Sequence, residues 1–164
     1  MRHFLLWMMV LFLSCDGGLT VPADIEPGIG GTVFFAQGTW PPADSLQGLW
    51  LFASIEYPLD SSRIIAGVLV EPRTIFLFPS LQESLPFFID SVRFDFHLQP
   101  GTYKYIGVIQ QLRPELEVRN FRIVGVLPSP ADSSLPRLLT IRDDEFVNGL
   151  RLDVNFAQPP PQPF

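Results

Sequence analysis

The chain has 164 residues, with 11 Lys and Arg against 17 Asp and Glu and a net charge of −6. That acidic balance argues against nucleic acid as a partner, because phosphate contacts need clustered Lys and Arg. A single cysteine excludes a disulfide framework, and 17 prolines with 15 phenylalanines favour short strands between rigid turns over helices.

At the N-terminus, Met1-Arg2-His3 precedes an uncharged apolar run over residues 4–13 that ends on Ser14-Cys15. The run is too short for a spanning anchor and fits the apolar core of a secretory signal. Phe12-Leu13-Ser14-Cys15 resembles the lipobox of bacterial lipoproteins, with Phe where Leu is commoner. The resemblance implies export, removal of residues 1–14 as a signal peptide, and diacylation of the Cys15 sulfur. It also implies a lipid anchor in a bacterial membrane, with the outer membrane or cell surface favoured. Two acyl chains on one residue meet the two-signal requirement for stable anchoring. Cleavage after Gly17, which would discard Cys15, and an uncleaved helix are the alternatives. Asp16 resembles an inner-membrane retention signal of some bacteria, which leaves the choice of membrane open.

Residues 15–27 are rich in Gly, Pro and Asp and read as a flexible tether. The span 28–156 reads as one β-domain, since short apolar stretches alternate there with Pro, Gly, Asp and Ser. Period-two alternation is clearest at Leu49/Leu51/Ala53/Ile55, at Val92/Phe94/Phe96/Leu98 and at Leu150/Leu152/Val154/Phe156. Further strands are expected over 32–37, 63–70, 73–78, 102–112, 120–127 and 137–141, with one helical turn in Pro41–Leu46. Seven to nine strands, each with one polar face, predict an all-β, antiparallel β-sandwich. Residues 157–164 read as a polyproline II tail, either a spacer or an arm lying on the domain.

Leu98-Gln99-Pro100-Gly101-Thr102-Tyr103 resembles the Pro-Gly-x-Tyr turn and strand of prealbumin-like (transthyretin-like) modules. Gly31-Thr32-Val33 and the acidic turn leading into 150–154 match that family's early and late strands more loosely. The chain is also similar to uncharacterised bacterial surface lipoproteins. The resemblance implies a prealbumin-like or Ig-like sandwich. It does not carry over the family's hydrolytic activity, because the chain ends in Gln162-Pro163-Phe164 and keeps one histidine, His97, after processing.

Chemistry-bearing residues are sparse. His97 stands alone on the polar face of its strand, and a histidine bonded to a neighbour is the expected role. Lys104, the sole lysine, is expected to be solvated, although an internal cross-link to Asn155 or Asn148 is conceivable. Asp143, Asp144 and Glu145 are candidate calcium ligands, but three adjacent acids fall short of the 6–8 oxygens the ion takes. Trp40, beside Pro41-Pro42, and Tyr57, beside Pro58, are candidate ligand-binding rings that either stack on sugars or seal the core. Trp50 is a third candidate, facing away from the Leu49/Leu51 set.

These residues give no catalytic site, no cofactor and no bound metal as expectations. They predict a non-enzymatic, lipid-anchored interaction or structural subunit of an envelope assembly, with a protein partner. A cell-surface carbohydrate-binding module is the alternative, with a glycan as ligand.

Overall fold

The structure is a computed structural model and describes residues 25–60 and 74–163. Cys15, the signal run and the strand expected over 63–70 lie outside the described residues. The fold is all-β, with strands β1 (Gly28–Phe35), β2 (Gly48–Ser54), β3 (Ile75–Phe78), β4 (Ser91–His97), β5 (Gly101–Tyr103), β6 (Tyr105–Gln111), β7 (Phe121–Val126), β8 (Leu139–Ile141) and β9 (Phe146–Val154). Single helical turns occupy Ala43–Ser45, inside the expected stretch, and Val118–Asn120.

Seven strands form one sheet in the order β3-β2-β6-β7-β9-β1-β4, and β5 pairs with β8 in a separate two-stranded ribbon. The sheet curls until its two edges approach: Phe78 of β3 and Phe96 of β4 have ring centroids 5.6 Å apart. The result is close to a barrel.

Pairing is not wholly antiparallel, contrary to expectation, because β9 runs parallel to β1 from Gly28↔Phe146 to Phe35↔Val154. Alternation reports which face of a strand is buried, not which neighbour it chooses or in which direction. The glycines of β1 allow the close approach: a Cβ on Gly31 would lie 2.0 Å from the Leu150 carbonyl oxygen. They also carry β1 four residues further back than expected. A bulge interrupts the register between Ile29 and Gly31, and opposite it Gly149 adopts φ +77°.

Strand directions define two ends. The proximal end is where β1, β6 and β9 begin and β2 and β4 finish; the distal end is its opposite. The inner face buries Ile29, Val33, Leu51, Phe94, Ile106, Val108, Val124 and Leu152 in one core. The expected strand over 102–112 breaks at Lys104, whose N–H donates to the Ser54 carbonyl at 2.8 Å. Before that break β5 follows β8; after it β6 joins β2. Tyr105, Phe52, Trp50, Ile109 and Ile123 then form a second cluster on the outer face, so the central strands are buried on both sides. No helix among the described residues is long and apolar enough to cross a membrane.

Candidate functional site

Of the expected ligand-binding rings, Trp40 and Tyr57 lie at opposite ends of the sheet and Trp50 lies on its outer face. Trp40 follows β1 at the distal end, where its indole lies 4.8 Å from the Phe35 ring, 4.6 Å from Phe156 and 5.3 Å from Phe88. That packing seals the end of the core. Trp50 is 5% exposed on the outer face, and its indole N–H is held by the carbonyls of Glu83 (2.5 Å) and Ser80 (3.3 Å). Its ring lies over Gly48, where a Cβ would come within 2.0 Å of it. Its donor and its ring are both occupied within the chain.

Tyr57 follows β2 at the proximal end, 43% exposed, and stacks on Tyr105 with centroids 5.0 Å apart and planes 20° from parallel. Tyr105 is buried, and that burial pushes its hydroxyl well above the usual tyrosine range, with the neighbouring Tyr57 adding to the rise. Tyr57, Lys104, Leu135, Pro136 and Leu138 line a groove of about 230 Å³. Leu135 is 53% exposed and Leu138 63% exposed, so exposed apolar side chains gather here beside a cation. Sequence reasoning found Tyr57 and Lys104 but not their two leucine neighbours. The 128–138 connection between β7 and β8 carries those leucines, and alternation says nothing of where a long connection lies.

At Pro100 the chain makes a bend and enters β5 directly at Gly101, which does not take a positive φ. Tyr103 is buried, and its hydroxyl donates to the Gln99 carbonyl at 2.8 Å. Beyond the turn, Thr102 and Thr140 share a hydroxyl hydrogen bond of 3.0 Å across the β5–β8 ribbon.

His97 ends β4, with Nδ1 3.3 Å from the Glu26 carboxylate and both side chains exposed. No hydroxyl or amine is bonded to it among the described residues. Asp143, Asp144 and Glu145 form the turn between β8 and β9. Glu145 Oε2 accepts the Arg142 N–H at 3.1 Å, and its main-chain carbonyl accepts the Gly28 N–H at 3.1 Å. Among the described residues no group of three or more His, Cys, Asp or Glu is placed to hold a metal ion. Asn155 lies at the distal end, away from Lys104, and its Oδ1 accepts the N–H groups of Ala157 and Gln158 at 3.0 Å each.

Two polar arrangements had no signal in the sequence. At the distal end the buried Gln110 donates to the Ser45 carbonyl (2.8 Å) and accepts from Arg122 Nη2 (2.9 Å), while Arg122 Nε is buried with no partner among the described residues. Beside β9, a depression of about 430 Å³ contains Arg151. Its guanidinium lies 4.1 Å over the Phe34 ring and is paired with Asp153 at 2.7 Å. That cation is neutralised where it stands. Comparison with protein-family models, with curated proteins and with solved structures finds no match.

Proposed function

We propose that this chain is an exported protein, held on a bacterial membrane by lipid on Cys15, that acts without catalysis as an interaction or structural subunit of an envelope assembly. The observation that carries the reading is the groove at the proximal end. There Tyr57, Leu135 and Leu138 expose apolar surface around Lys104, a composition suited to contact with a protein. For the fold type, a prealbumin-like sandwich is the finer reading, supported by the Tyr103-closed turn at Pro100-Gly101. The parallel β1–β9 pair departs from it, so the fold type contributes nothing to the functional argument.

The carbohydrate-binding alternative needs a second exposed ring beside Tyr57; Tyr105, stacked on it, is buried, and Trp40 packs at the opposite end. It therefore ranks below the protein-interaction reading. Two experiments test the proposal. Metabolic labelling with an alkyne fatty acid is expected to mark the wild-type chain and not Cys15→Ala. Crosslinking on native membranes, followed by capture of the full-length chain, is expected to recover one envelope protein in fixed ratio, and to lose it with Cys15→Ala. An unlabelled wild-type chain, or capture with no protein partner, contradicts the proposal.

A further inference from the structure

The sheet ends on β4, which among the described residues pairs only with β1. Its register with β1 shows which backbone groups remain open. Phe35 N–H donates to the Asp90 carbonyl (2.9 Å) and Leu98 N–H donates to the Pro27 carbonyl (3.0 Å). Those bonds bracket a ladder in which Gly31 faces Phe94 and Ile29 faces Phe96, so the even-numbered residues of β4 turn their N–H and C=O groups toward β1. The odd-numbered residues Ser91, Arg93, Asp95 and His97 turn theirs away from β1, to a side where no strand among the described residues pairs. The other edge of the sheet, β3, is only four residues long. It meets β4 through the inward rings of Phe78 and Phe96 rather than through backbone bonds.

That side of β4 carries an ordered pair of charges. Arg93 and Asp95 are both exposed, and neither has an ion-pair partner among the described residues. An antiparallel copy of β4 centred on Phe94 sets Arg93 opposite Asp95 of the second chain and Asp95 opposite its Arg93. The same register sets Ser91 opposite His97. All of these are odd-numbered residues, so each such pair exchanges backbone hydrogen bonds, while Phe94 faces Phe94 at a non-bonded position. A parallel copy would instead set Arg against Arg. An isolated charge on an edge strand deters pairing with a generic strand, but this order matches its own reverse. His97 keeps Glu26 beside it at the end of the strand.

We infer that β4 is a self-recognition edge, through which two copies of this chain join antiparallel about Phe94 with reciprocal Arg93–Asp95 pairs.

Full-length chain in detergent is compared with Arg93→Asp, Asp95→Arg and the double exchange by sedimentation equilibrium. Wild type is expected at twice the single-chain mass. Each single reversal replaces two opposite-charge pairs by two like-charge pairs and is expected to weaken dimerisation by about tenfold or more. The two single variants mixed are expected to form a heterodimer, since the two acids on the edge of one then face the two arginines on the edge of the other. The double exchange is expected to restore the homodimer. A wild-type monomer across the micromolar range overturns the inference, as does a dimer that either single reversal leaves unchanged.

Discussion

Gly31 and Gly149 are glycines for different physical reasons, and the difference is measurable. At Gly149 the backbone sits at φ +77° with open space where a Cβ would go, so Gly149→Ala carries only the left-handed penalty of about 1–2 kcal/mol. At Gly31 a Cβ would lie 2.0 Å from a backbone oxygen of the adjoining strand, and Gly31→Ala must push β1 from β9. Urea midpoints are expected to fall modestly for the first and much further for the second. Equal drops would mean that β1 and β9 are not in the contact described. Tyr103→Phe is expected to cost about 1 kcal/mol through the lost bond to Gln99, measured the same way. This tyrosine was legible in the sequence because it follows Pro100-Gly101 within the same short segment, where the chain bends at Pro100. The β1–β9 contact was not, because no local pattern names a partner more than a hundred residues away.

At the scale of elements, the tail after β9 completes the sheet. β7 and β9 share a single backbone pair, Gly125↔Val154, so the start of β7, paired with β6 on one side, has no described strand on the other. Gln162 supplies the missing groups: its Oε1 accepts the Ile123 N–H at 2.8 Å and its Nε2 donates to the Ile123 carbonyl at 3.1 Å. Gln162→Ala is expected to speed hydrogen exchange at the Ile123 amide by tenfold or more (about 1.4 kcal/mol of lost protection), leaving the β2–β6 pairing unchanged. An unaltered Ile123 rate would show that the tail does not hold that edge. The Pro-rich composition pointed to an extended tail, and of its two readings the structure has the arm lying on the domain. The anchoring glutamine gave no signal, because one polar residue among prolines has no period. The break at Lys104 was also hidden, since the alternation of apolar residues runs through it while the pairing partner changes.

For the whole molecule, the two-sided burial of the central strands predicts a response to alkali. Burial raises the pKa of Tyr105 and of Tyr103. The unfolded chain ionises these groups near their ordinary value of about 10, and the folded chain only at higher pH. Unfolding therefore releases protons there. Stability is retained below pH 10 and lost as pH rises above about 10 toward the folded values. Urea midpoints at pH 8 and pH 11 are expected to differ by less in Tyr105→Phe than in wild type. A steeper loss in the variant would contradict the burial assigned to that ring. The all-β class and most strand positions were readable from alternation and turn residues. The groove was not, because Leu135 and Leu138 reach Tyr57 and Lys104 only through the curl of the sheet and the course of the 128–138 connection. The most direct test of that groove keeps Cys15 intact and changes Leu135→Asp together with Leu138→Asp. After crosslinking on native membranes, the wild-type chain is expected to capture the proposed envelope partner and the double variant to lose it while remaining folded and membrane-bound. Equal capture by the two would contradict the role assigned to this surface.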